Sequence, residues 1–114
     1  MKIDKNLIGG STNMLILTLL SEEDSYGYQL IRELEERSDH TFQFKEGTLY
    51  PILHKLENSG YVASYKQTTP QGKSRKYYQI TKKGLKQLEA EKEQWNIFSD
   101  SVNKVIGGGV YGMA

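Results

Sequence analysis

The chain has 114 residues, 37% hydrophobic and 25% charged, which is enough for one domain with a modest core and too little for a large enzyme architecture. With no Cys and two His, disulfides, thiol catalysis and Cys-based zinc sites are excluded, and His40 and His54 leave little from which to build a metal centre. The net charge of +1 hides a strong pattern: residues 1–40 carry 4 basic and 8 acidic groups, residues 41–86 carry 9 and 2, and residues 87–114 carry 2 and 4. A basic middle between acidic flanks points to a polyanion partner, and nucleic acid is the commonest.

In chain order, Met14, Leu15, Leu17, Leu19 and Leu20, preceded by Ser11 or Thr12 as N-cap, predict a first helix over 12–21. It is apolar on most sides and is expected to be buried against more than one neighbour. The longest apolar run, Met14 to Leu20, is broken by Thr18 and is far shorter than the ~20 residues of a membrane span. No signal-peptide pattern precedes it, so the expected location is the cytoplasm, with no membrane partner.

Leu30, Ile31 and Leu34 recur at helical spacing after the acidic and capping run Glu22-Glu23-Asp24-Ser25, predicting a second helix over 25–38. Its outer face is charged, and Gly27 near its start suits a close approach by another helix. His40 to Phe44 alternates and is expected to form a brief strand.

Gly47-Thr48 opens a third helix that ends at Asn58-Ser59-Gly60. At 100° per residue, Leu49, Ile52, Leu53 and Leu56 share a narrow arc; Thr48, Pro51, His54, Lys55 and Asn58 lie opposite, with Tyr50 at the margin. Pro51 is expected in about the first turn, where a missing N–H breaks no intrahelical bond.

Tyr61–Tyr65 and Lys76–Ile80 are β-prone and flank the turn residues Thr69-Pro70-Gln71-Gly72, predicting a hairpin whose tip and exit carry Lys66, Lys73, Arg75 and Lys76. Thr81 caps a final helix to Ile106, followed by Gly107-Gly108-Gly109. Leu88, Trp95 and Val102 are spaced by sevens along it, with Lys92 and Ser99 interrupting the seam. At ~1.5 Å per residue, some 25 residues reach close to 38 Å, longer than the small body can cover, so Trp95 and its neighbours are expected to meet a second subunit.

The fold class is therefore mostly α with a small β-hairpin. The order helix, helix, strand, helix, basic hairpin is that of a winged helix-turn-helix over 1–80, followed by a dimerisation helix over 81–106 and a tail over 107–114. A recognition helix needs an apolar back and a front of short polar and cationic groups, and the third helix has both. Thr48, Tyr50, Pro51, His54, Lys55 and Asn58 are the candidate DNA-reading positions, and Lys66, Lys73, Arg75 and Lys76 the candidate phosphate or minor-groove contacts. Tyr77 and Tyr78 point to opposite faces, one toward the core and one outward. No nucleophile elbow, Walker or dinucleotide motif occurs, so an enzyme is not expected. Two other readings are a winged-helix adaptor whose basic face meets an acidic protein, and a small-molecule carrier built around Trp95.

The stretch Gly47-Thr48-Leu49-Tyr50-Pro51-Ile52-Leu53-His54-Lys55-Leu56-Glu57, with Gly60-Tyr61-Val62, resembles the third-helix motif of PadR-type transcriptional regulators. Gly72 to Gly84 resembles their wing, and Tyr26-Gly27-Tyr28-Gln29-Leu30 their second helix. The resemblance, from about Asn13 to Ile106, implies a homodimeric repressor of the small subfamily, joined through the first and last helices and released from double-stranded operator DNA by a small molecule or another signal. It needs no cofactor and no metal. Within that subfamily the chain is similar to multidrug-binding regulators, in which paired tryptophans of the last helix sandwich flat aromatic drugs at the dimer interface. Trp95 stands at the matching place and Asn13 keeps its counterpart, whereas Met14, Thr18 and Ser99 occupy matching positions with other residue types. Phe98 and Met14 are the side chains able to fill that space. Trp95 thus has two readings, a platform for an aromatic effector or interface core.

Overall fold

The computed structural model describes residues 9–107. Its first helix, α1 (Thr12–Glu22), follows the apolar run, and Ile16, Leu17, Leu19 and Leu20 are all buried. No helix among the described residues is long and apolar enough to cross a membrane.

The predicted second helix divides in two. Ser25–Tyr26 form a short strand, β1, and the helix proper, α2, runs Gly27–Arg37. The extended pair takes its partners from the wing: Ser25 opposes Tyr78 and Tyr26 opposes Tyr77 in antiparallel register. Edge pairing and the packing of the Tyr26 ring on Tyr77, 5.5 Å between centroids, outweigh the helical tendency of the acidic run before it.

His40–Phe44 forms no strand. Asp39 and His40 adopt φ of 50° and 67°, the left-handed region that Asp and His tolerate better than most residues. The turn is closed by His40 N–H donating to the Glu35 carbonyl at 2.8 Å and by Phe42 N–H donating to Ser38 Oγ at 2.9 Å. His40 Nδ1 lies 2.9 Å from Glu35 Oε2. With no sheet edge beside it, the alternation of this segment has nothing to pair with.

The third helix, α3, runs Glu46–Asn58 with Lys45 at the N-cap. It therefore starts a residue before Gly47, and Pro51 is its sixth residue rather than a member of the first turn. Pro51 has no N–H to offer the Gly47 carbonyl; Gly47 is exposed, so water can reach that acceptor. Gly27 earns its place as anticipated: a Cβ there would fall 2.6 Å from Tyr50 Oη, so the missing side chain lets the Tyr50 ring lie across the start of α2.

Strands β2 (Val62–Thr68) and β3 (Ser74–Ile80) complete a sheet of order β1-β3-β2. The hairpin arms are longer than expected because the tip is tightly closed: Thr69 N–H donates to the Lys73 carbonyl at 2.7 Å and Gly72, at φ 85°, donates to the Thr69 carbonyl at 2.8 Å. Tyr78 is the core residue of the Tyr77–Tyr78 pair, 4% exposed.

The last helix, α4, runs Lys82–Ile106. Thr81 caps it as expected, its Oγ1 accepting from Gly84 N–H at 3.0 Å while donating to the Gly60 carbonyl at 2.6 Å. Leu88, 1% exposed, ties the base of α4 into the same core as Ile16, Leu30, Leu53 and Val62. Beyond Lys92 the helix runs clear of the body, and the chain has a long dimension of 62 Å against 31 and 21 Å. From residue 108 the expected tail lies outside the described residues.

Candidate nucleic-acid interface

Leu49, Leu53 and Leu56 are buried and Ile52 packs against them, so α3 is held by the arc its periodicity predicts. Thr48, Pro51, His54, Lys55 and Asn58 are all exposed on the other side. Tyr50, 41% exposed, sits between these two surfaces. Partial burial, and then the Glu46 carboxylate, push its phenol above the ordinary tyrosine value, so it stays a neutral donor at physiological pH.

The sheet register sorts the wing cations by face. Lys66 opposes Lys76, and Ser64 opposes Tyr78, which places both lysines on the side of the sheet that Tyr78 turns toward the helices. Like charges directly opposite each other weaken a strand pair, so this placement costs stability rather than adding it. Glu57 of α3 lies at this side of the sheet: its Oε2 accepts from Ser64 Oγ at 2.5 Å and its Oε1 is 3.8 Å from Lys76 Nζ. Glu57 thus ties the C-terminal end of α3 to the side of the sheet that carries Lys66 and Lys76, with Lys73 exposed at the tip. Lys66 makes no ion pair among the described residues.

Arg75 belongs elsewhere. It opposes Gln67 on the outer face of the sheet, with its guanidinium 4.5 Å from the centre of the Tyr26 ring, a cation–π contact. Tyr26, Tyr77 and Tyr65 form a row across that face, Tyr65 stacking on Tyr77 at 5.7 Å. Tyr65 Oη donates to Asp24 Oδ2 at 2.8 Å. That hydrogen bond, then burial and the Asp24 charge, raise the Tyr65 phenol. The row and the Glu57 junction escaped the sequence reading; strand register, set by the closed tip, is the signal that exposes both.

Acidic groups collect on the outer side. Glu23, Asp24, Glu33 and Glu36 border a depression of about 360 Å³ beside Tyr26 and Tyr77, a surface unsuited to phosphate. Near it Arg37 pairs with Glu22 and with Glu33, the latter at 3.2 Å. The hydrogen bond from Arg37 holds the Glu22 carboxyl below its ordinary range. Its stabilising contribution is therefore present above the ordinary carboxylate pKa and lost as the pH falls through the depressed one, and it is small because both partners are exposed.

The candidate effector residues occupy two helices. On α1, Asn13 is exposed and Met14 packs against the core, while Thr18 Oγ1 donates to the Met14 carbonyl at 2.7 Å. On α4, Ser99 Oγ donates to the Asn96 carbonyl at 3.3 Å. Trp95 and Phe98 have their rings 6.3 Å apart and are 47% and 60% exposed. Both hydroxyls are engaged with their own helix backbones.

Helices carried on a three-stranded antiparallel sheet, with a basic hairpin beside the exposed face of α3, define a winged helix-turn-helix protein. Residues 16–90 match the model of the transcriptional regulator PadR-like family. A transcriptional regulator from Clostridium thermocellum superposes with a TM-score of 0.81 at 35% identity, over 88% of this chain and 97% of that one. A PadR family transcriptional regulator from Eggerthella lenta gives 0.77 at 37% identity, over 89% and 86%. An uncharacterised protein from Lysinibacillus sphaericus is 34% identical over 93% of this chain and 97% of its own length. The chain belongs to the PadR-like family of transcriptional regulators, which are not enzymes.

Proposed function

We propose that this protein is a cytoplasmic homodimeric repressor that reads operator DNA with α3 and grips the flanking backbone with its wing. The observation that carries the reading is the Glu57 junction, which ties α3, with Thr48, His54, Lys55 and Asn58 exposed on it, to the side of the wing that carries Lys66 and Lys76. Dimerisation is supported by α4, where Trp95, Phe98, Val102 and Val105 follow Leu88 at helical spacing and are exposed, Val105 by 85%. Paired copies would present two reading helices to half-sites about one helical turn apart, ~34–36 Å, or a multiple of it.

The test is binding of the purified protein to the DNA upstream of its own gene against a scrambled duplex of equal length, at two salt concentrations. A preference of ~10³-fold or more is the expected result for a specific regulator. Equal, steeply salt-dependent binding to both, there and at every other promoter tried, would favour an adaptor for an acidic protein instead. Substitution of Thr48, His54 or Lys55 is expected to change which sequences bind. Lys66→Gln with Lys73→Gln is expected to weaken all duplexes alike and to flatten the log–log salt dependence by about 0.9 per lost phosphate contact.

The neighbouring rings of Trp95 and Phe98 support an aromatic effector at the dimer seam, with Asn13, Met14, Thr18 and Ser99 around it. Such an effector would quench Trp95 fluorescence and lower DNA affinity, and DNA would lower effector affinity by the same factor. Quenching with DNA affinity unchanged would instead indicate a carrier.

A further inference from the structure

Glu57 is one of two acidic residues, with Glu46, in the stretch 41–86 that holds nine Lys and Arg. It stands where a carboxylate is least expected. A negative group in the last turn of α3 opposes the helix dipole, and beside a surface for DNA it repels phosphate. Yet its side chain is two-thirds covered, and it is committed to partners on both hairpin strands, Ser64 on β2 and Lys76 on β3. Lys76 is constrained further by the Tyr78 ring, 5.4 Å from its Nζ. Among the described wing lysines, Lys76 is the one with a carboxylate partner; Lys66 and Lys73 make no ion pair.

We propose that Glu57 is a positioning residue, which moors the wing to the reading helix and competes with DNA phosphates for Lys76, so that Lys76 contributes fully only in the seated complex. Resting on the DNA-reading function above, the inference assigns the two wing lysines opposite each other different work. Lys66 is available to any duplex. Lys76, held by Glu57, turns to a phosphate where the base contacts of α3 have fixed the backbone within its reach. The carboxylate must be displaced from Lys76 in the seated complex too, so it lowers the affinity for correct DNA at least as much as that for incorrect DNA.

The experiment measures binding to two duplexes across a salt series: one selected by the wild-type protein from a random pool, and its scrambled counterpart. Glu57→Gln keeps an oxygen to accept from Ser64 but removes the charge on Lys76. Expected for the scrambled duplex is a salt dependence steeper by about 0.9 and binding about 8-fold tighter at 0.1 M salt, the effect of one added phosphate contact. The slope on the selected duplex should not change, but its affinity should rise at least as much, because the seated complex no longer has to open the Glu57–Lys76 pair. Lys76→Gln should weaken the selected duplex and leave the scrambled one unaltered, and in that background Glu57→Gln should add nothing.

If Glu57→Gln strengthens scrambled binding equally with Lys76 absent, the carboxylate acts by direct repulsion and the inference is overturned. Unchanged slopes and affinities in a Glu57→Gln protein of wild-type melting temperature would overturn it too. Both outcomes leave the regulator intact, since its wild-type preference stands. Failure of the random pool to yield any consensus removes DNA reading itself, and this inference with it.

Discussion

Gly84→Ala is expected to destabilise the chain by about 2 kcal/mol, although alanine is normally worth up to ~1 kcal/mol more than glycine inside a helix. A Cβ at position 84 would fall 2.1 Å from the Tyr61 carbonyl oxygen and 2.8 Å from Ile80 Cγ1. The carbonyl cannot yield easily, because it is backbone and accepts the Thr81 N–H at 3.0 Å. The first turn of α4 must therefore lift away from the segment joining α3 to the wing, disturbing the Thr81 cap and loosening Leu88. Overpacking of this kind costs about 1–3 kcal/mol, occasionally more. In a thermal melt followed by circular dichroism, a fall of roughly 10 °C is the expected size. An unchanged or raised midpoint would mean that α4 docks less closely than described.

Trp95→Asp combined with Phe98→Asp is expected to separate the two subunits of the proposed dimer. Among the described residues the exposed rings of α4 show one ring contact, that of Trp95 with Phe98, and burying each ring against a second copy is worth ~1.5–3 kcal/mol. Two carboxylates in that seam would have to be desolvated without counter-charges, a cost larger than the seam returns. Analytical ultracentrifugation should then give a single chain of 13.0 kDa for the variant and twice that for the wild type. Affinity for a duplex with two half-sites should fall by ~10²-fold or more as the effective concentration of the second reading helix is lost. One half-site should bind nearly as before. A wild-type protein that already sediments as one chain would dispose of the dimer.

The helices were legible because their signals are local. Leu49, Leu53 and Leu56 mark the buried side of α3 by spacing alone, and Thr81 announces the start of α4 by its chemistry. Ser25–Tyr26 stayed hidden because two residues carry no periodicity and their partners are Tyr77 and Tyr78. His40–Phe44 failed for the converse reason, since alternation without a neighbouring edge makes no strand. Pro51 lies one residue deeper in α3 than its expected start at Gly47 implies, because Glu46, outside the apolar pattern, already belongs to the helix.

The site divides in the same way. The polar front of α3 follows from 100° per residue and needs no tertiary information. The four wing cations look alike in one dimension, yet the register sets Lys66 and Lys76 with α3 and turns Arg75 onto Tyr26. Glu57 reads as an ordinary helix carboxylate until Ser64 and Lys76 are folded against it.

The pairing of β1 with β3 joins residues more than fifty positions apart, whereas β2 and β3 are neighbours across a five-residue tip. Closing the longer loop costs more chain entropy before any contact repays it. The wing hairpin and the individual helices can therefore organise early, and the strand formed by Ser25 and Tyr26 completes the sheet last. Until it does, the edge of β3 carries unpaired backbone groups and an uncovered Tyr77, the sort of edge on which newly made chains associate. The smallest element of the fold is thus the one that caps its most adhesive edge.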